Sequence, residues 1–158
     1  MDSVIAALRK LKQFCAYQDR CHKEVNDKLW ELGIKEAERN EIIATLITEG
    51  YLNEERFARS FAGGKFRMKR WGRKKIIQAL RRHQISPYCI ARGLEEIPDT
   101  DYRDTLLKLA SDKYGLLKKH SYLTRKQHTF RYLLAKGYEA ELIHEVLDEL
   151  AGPDSPGR

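Results

Sequence analysis

His144 stands three residues after Glu141 and four before Asp148. On a helix that spacing sets an imidazole beside carboxylates, the pairing used in proton transfer and metal binding. The same spacing is common on solvated helix faces. His22, His83, His120 and His128 are scattered singly. The stretch "GGKF" at 63–66 fails as a phosphate loop, because Arg59 takes the first glycine position and Phe66 replaces the Ser or Thr that would hold magnesium. It reads better as a helix end or a flexible joint. Three cysteines, Cys15, Cys21 and Cys89, form no CxxC pair and are read as reduced structural thiols. A nuclease would need a carboxylate cluster for its metal, and the most charged region has no carboxylate at all. The residues therefore predict no catalytic group and no metal: the chain is expected not to be an enzyme.

The strongest chemical signal is a charge. The segment "KFRMKRWGRKKIIQALRRH", residues 65–83, holds nine Lys or Arg and no acid. From Arg56 to Leu94 there are 12 Lys or Arg and no Asp or Glu, so the rest of the chain holds 18 cations against 23 acids, a net of −5. A merely soluble face usually mixes both signs. An unmixed run is expected to meet a polyanion. The candidate contacts are Lys65, Arg67, Lys69, Arg70, Trp71, Arg73, Lys74, Lys75, Arg81 and Arg82. Arg73, Lys74 and Lys75 crowd a helix start, where the unpaired N–H groups already make the end positive. Trp71 and Phe66 could stack on bases, but packing is the role a large ring more often takes.

These residues must be positioned by helices. The chain is 42% hydrophobic and 34% charged, with apolar residues at helical spacing nearly throughout, as in Leu142, Ile143, Val146, Leu147 and Leu150. No strand is predicted. Helices are predicted near 3–18, 22–32, 36–49, 53–66, 72–82, 87–96, 100–114, 123–136 and 139–150. Ser86 with Pro87, Thr124 to Gln127 as a capping box, and Asn53 read as helix starts, and Gly33, Gly50 and Gly137 as stops. No apolar run approaches the ~20 residues of a membrane span, and the first residues lack the pattern of a signal peptide, which predicts a cytoplasmic protein.

Nine helices suggest three units of three. Leu29, Leu80 and Leu133 correspond, as do Ile34, Ile85 and Tyr138, then Ile43, Leu94 and Leu147, then Leu46, Ile97 and Leu150, at constant offsets of 51 and 53 residues. The expectation is an all-α fold of three tandem three-helix repeats, 1–50, 51–98 and 99–151, in an elongated, curved array, with a disordered tail at 152–158.

The run "EGYLNEERFARSF" followed by "KRWGRKKIIQALRRHQIS" closely resembles the central signature of the RecX family, bacterial regulators of the RecA recombinase. The matching positions are Gly50, Tyr51, Leu52, Asn53, Arg56, Phe57, Ala58, Trp71, Gly72, Lys75, Ile76, Leu80 and Ile85. "AYQDRCHKEVNDKLWELGI" and "RYLLAKGYEAELIHEVL" resemble the family's first and last repeats. Arg70 departs from the pattern where a glycine is usual, Arg73 where proline is common, and Cys21 where serine is frequent. The resemblance implies tandem three-helix repeats and a protein that lies in the groove of the RecA filament on single-stranded DNA. There it would block filament growth and inhibit strand exchange and ATP hydrolysis, with no cofactor and no catalytic residue.

The leading expectation is thus a non-enzymatic, monomeric RecA modulator whose partners are the RecA filament and single-stranded DNA, with duplex DNA as a further partner. The anion met by the basic segment could be DNA phosphate, RecA carboxylate or both. The alternative is a free-standing helix-turn-helix-like DNA-binding protein using helices 72–82 and 87–96. Against it, "PYCIARGLEE" in the recognition position is poor in side chains that read bases.

Overall fold

A computed structural model describes residues 2–152. Among the described residues there are nine helices and no strand: α1 (Asp2–Tyr17), α2 (His22–Glu31), α3 (Glu36–Thr48), α4 (Glu54–Lys69), α5 (Arg73–Arg82), α6 (Pro87–Leu94), α7 (Asp99–Leu116), α8 (Tyr122–Lys136) and α9 (Ala140–Ala151). The fold is all-α. Of the predicted disordered tail, residues 153–158 lie outside the described residues.

The helix ends follow from side chains the sequence supplies. The Ser86 hydroxyl accepts from the Cys89 N–H at 3.2 Å, and the Asn53 carboxamide accepts from the Arg56 N–H at 2.9 Å, each satisfying an otherwise orphan donor. Two expectations need correction. The cap of α8 is Ser121 rather than Thr124; its hydroxyl accepts from the Thr124 N–H at 3.3 Å, one turn earlier than expected. Gly63 and Gly64 form neither a helix end nor a joint: they lie inside α4, which continues to Lys69. A helical glycine costs ~1 kcal/mol, and the burial of Ala62 and Phe66 around the pair outweighs it.

One turn occurs three times. The N–H groups of Ile34, Ile85 and Tyr138 donate to the carbonyls of Leu29, Leu80 and Leu133 at 3.1, 3.1 and 3.2 Å. In each case the preceding residue, Gly33, Gln84 or Gly137, is left-handed, with φ of 76°, 60° and 102°. This is the helix stop that returns two orphan carbonyls to bonded partners. Its recurrence at the offsets of 51 and 53 residues shows a repeated helical unit in the backbone as well as in the apolar pattern.

By its contacts the chain forms two compact units. Unit 1 comprises residues up to Phe61 together with Ala79–Glu95. In it α1, α2 and α3 pack on one another around Leu11, Cys15, Val25, Leu29, Ile42 and Leu46. At Gly93 of α6 an added Cβ would lie 2.7 Å from the Ala58 carbonyl oxygen, so only glycine allows that approach to α4. Unit 2 comprises Ala62–Gln78 and the residues from Glu96 onward. Here α7, α8 and α9 pack pairwise, burying Tyr102, Leu106, Leu133, Ile143 and Val146. Phe66, Tyr102 and Tyr138 form a ring series with centroids 5.9 and 5.0 Å apart.

Candidate nucleic-acid interface

Eight of the ten residues named from the charge run, Lys65, Arg67, Lys69, Arg70, Trp71, Arg73, Lys74 and Lys75, fall in unit 2. Their placement begins with the start of α5. The Gly72 N–H donates to the Lys136 carbonyl at 2.8 Å and the Lys74 N–H to the Gly137 carbonyl at 2.9 Å. Between them, the Arg73 N–H donates to the Tyr102 hydroxyl at 2.9 Å. The positive end of α5 therefore rests on the negative end of α8, and three donors that acids or solvent would normally satisfy are satisfied by the fold. A basic first turn is tolerable for that reason. The approach is close: a Cβ on Gly72 would fall on the backbone of Gly137 and Tyr138.

Arg73 is held on every side. Its guanidinium pairs with Asp99 and with Glu139, the latter at 3.4 Å, and lies 3.9 Å from the centre of the Tyr102 ring. The Tyr102 hydroxyl in turn donates to Glu139. Burial, and then the Glu139 carboxylate, push the Tyr102 phenol well above its ordinary range, and burial does the same to Tyr138. The repulsion expected among Arg70, Arg73, Lys74 and Lys75 is therefore relieved at Arg73 by two acids of its own unit.

The turn before α5 is set by the residue that departs from the glycine pattern. Arg70 adopts a left-handed φ of 56°, and its carbonyl accepts the Tyr138 hydroxyl at 2.9 Å, which keeps its side chain outward and exposed. The Lys69 carbonyl accepts the Lys136 ammonium at 3.1 Å. Trp71 is half-buried, with the Lys65 ammonium 5.0 Å and the Lys75 ammonium 4.6 Å from its ring centre. Each is a cation–π contact. Packing under the basic side chains is thus the role the structure gives it.

What remains outward is a cluster. Arg67, Lys69, Arg70 and Lys74 are exposed, and none of them forms an ion pair among the described residues. Arg67 and Arg70 also line a cleft of about 320 Å³ with Phe66, Asp101, Asp104 and Thr105, so acids temper the field on one side. Arg81 and Arg82 are exposed in unit 1, in the last turn of α5.

The other candidates for chemistry are differently placed. The His144 ring stacks on Phe130, with centroids 4.7 Å apart. Burial raises the Cys15 thiol and pushes Cys21 to about 11, so both are protonated at neutral pH. Among the described residues no group of three His, Cys, Asp or Glu could hold a metal ion, and no helix is long and apolar enough to cross a membrane. Sequence reasoning missed Tyr102, Lys136, Gly137 and Glu139 as the frame of the basic turn. The legible hint was Tyr138, a ring with a polar tip where the other repeats have Ile34 and Ile85.

The family profile described as "RecX, second three-helix domain" matches residues 53–94, and that described as "RecX, third three-helix domain" matches residues 100–147. The chain belongs to the RecX family. Among curated RecX relatives, "Regulatory protein RecX" of Clostridium perfringens strain 13 is 35% identical over 133 residues, 83% of this chain. That of Bacillus cytotoxicus is 27% identical over 137 residues, 87% of this chain. This chain spans 62% of the length of the first and 51% of the second. The crystal structure of RecX from Lactobacillus salivarius superposes with a TM-score of 0.87 at 26% identity, covering 94% of this chain and 97% of that one. Each matched three-helix domain contains one copy of the turn described above, Leu80 to Ile85 in one and Leu133 to Tyr138 in the other.

Proposed function

We propose that this chain is a non-enzymatic regulator of the RecA recombinase. In this reading it sits in the groove of the RecA filament on single-stranded DNA and limits filament growth, ATP hydrolysis and strand exchange. Membership of a family whose relatives are named regulatory proteins supports the regulatory role. The observation that carries the contact surface is the cluster of Arg67, Lys69, Arg70 and Lys74, exposed and without an acidic partner among the described residues. Lys65, Lys75 and Trp71 support it from beneath, and Arg73 positions it through Asp99, Glu139 and Tyr102. Arg81 and Arg82 of unit 1 are proposed as contacts in their own right. The repeats proposed are 1–50, 51–98 and 99–151, and the protein acts as a cytoplasmic monomer.

The test is RecA's DNA-dependent ATP hydrolysis and strand exchange with this protein at slight molar excess. Both should fall. If four phosphates of a single strand are contacted, the log of affinity should decline with log salt at a slope of roughly −3. Unchanged RecA activity overturns the reading.

A further inference from the structure

A second acid-free run lies in unit 2, hidden because its neighbours cancel it. Residues 99–152 hold nine Lys or Arg and nine Asp or Glu, yet from Lys113 to Tyr138 there are seven Lys or Arg, His120 and His128, and no acid. The run forms the end of α7, the turn after it and all of α8. Three of its cations have structural tasks. Arg125 donates twice to the Tyr114 carbonyl, at 3.2 and 3.0 Å, and covers the Tyr114 ring at 3.7 Å. Lys113 lies over Tyr132 at 5.1 Å, and Lys136 reaches the Lys69 carbonyl. The other four, Lys118, Lys119, Lys126 and Arg131, have no ion pair or hydrogen bond among the described residues. Of the acids that flank the run, Asp112 pairs with Lys108 and Glu139 with Arg73.

The hairpin also exposes groups that water alone does not explain. Leu116 is 80% and Leu123 61% exposed, and the imidazoles of His120 and His128 stack with centroids 6.3 Å apart. At 3.6 residues per turn, Leu123, Gln127 and Leu134 run down the middle of the outer face of α8. Lys126 lies to one side of that strip and Arg131 with His128 to the other. A strip of two leucines about a flat amide, with cations on both margins, fits a strand that carries phosphates at its edge and flat bases at its centre. In a duplex the bases are stacked and paired, so this strip could not reach their faces.

We infer that the α7–α8 hairpin is a second nucleic-acid surface, one that takes single strands. Lys118, Lys119, Lys126 and Arg131 meet phosphates there, and the strip that starts at Leu123 meets bases. The surface is separate from the turn before α5 and stands independently of any action on RecA. Because Arg125 and Lys113 brace the hairpin, the face is formed before the ligand arrives.

The experiment is fluorescence anisotropy of a labelled oligothymidylate of about 20 nucleotides with the full chain and no RecA, over a range of salt. Replacing Lys118, Lys119, Lys126 and Arg131 together by Ala should weaken binding roughly tenfold or more at low salt, and flatten the log–log salt slope by about 2 to 3. Leu123→Ala should weaken the oligothymidylate and leave a duplex of the same length unaffected. Circular dichroism should be unchanged, and the pair Lys118→Ala and Lys119→Ala, confined to the turn, carries the test if the fourfold variant fails to fold. Wild-type affinity and slope in both variants would overturn the inference. So would loss of binding to phosphatidylserine vesicles with oligothymidylate binding intact, which would make the face a membrane contact.

Discussion

The N–H of Gly72 donates to the carbonyl oxygen of Lys136 at 2.8 Å, joining the start of α5 to the end of α8. The two helix ends offset each other's unpaired groups, and this permits a first turn built from Arg73, Lys74 and Lys75. The contact leaves no room for a side chain. Gly72→Ala should therefore destabilise the protein by about 2 to 4 kcal/mol in chemical denaturation, because a Cβ would meet backbone that cannot move aside. Gly64→Ala, at a helical position with nothing within 4 Å, should instead stabilise by about 0.5 to 1 kcal/mol.

Arg73 and Lys74 are neighbours with different tasks. Arg73→Ala leaves Glu139 and the Tyr102 ring without their cation and should cost about 1 to 3 kcal/mol of stability. Lys74→Ala, at an exposed side chain, should stay within about 0.5 kcal/mol of wild type. Urea denaturation of the two variants separates them. Equal losses would show that Arg73 is as solvated as Lys74.

How far the sequence reached is visible at this same turn. The helices of α4 and α5 were legible because apolar periodicity and cap residues are local signals. Ser121 was missed as the cap of α8 because Thr124, three residues on, presents the same hydroxyl chemistry. The glycine pair in α4 misled because a glycine's cost is local, whereas the burial that overcomes it is not. The fate of Arg73 was illegible for a related reason: Asp99 and Glu139 lie 26 and 66 residues away, and nothing near Arg73 announces them. The second cationic run escaped because acids on either side cancel it in a domain-wide count.

Buried acidic groups give the stability a pH signature. Cys21 is fully buried, and its thiol is held at about 11 against an ordinary value of 9.0. A raised folded value means the unfolded chain loses its proton first, so this contribution is complete below pH 9 and lost as pH climbs to about 11. Tyr102 and Tyr138 extend the loss to still higher pH. Denaturation midpoints should fall across that window, and Cys21→Ala should flatten the first part of the fall. At pH 8 a thiol reagent should label half-buried Cys89 well before Cys21.

Thr129 is fully buried in α8, and its hydroxyl oxygen finds no hydrogen-bond partner among the described residues. Thr129→Val keeps the shape and removes the unsatisfied group, and should raise stability by roughly 1 kcal/mol. A loss of similar size in calorimetry would mean that the hydroxyl has a partner in solution.

RecA's ATP hydrolysis on single-stranded DNA, measured beside wild type with a variant carrying Glu at Arg67, Lys69, Arg70 and Lys74, tests the central claim most directly. Those four side chains are exposed and make no ion pair among the described residues, so the variant should keep wild-type helicity, with a melting point lowered by the new acids beside Asp101 and Asp104. The account predicts that wild type suppresses hydrolysis and that the folded variant does not. Suppression by both proteins, or by neither, would contradict it.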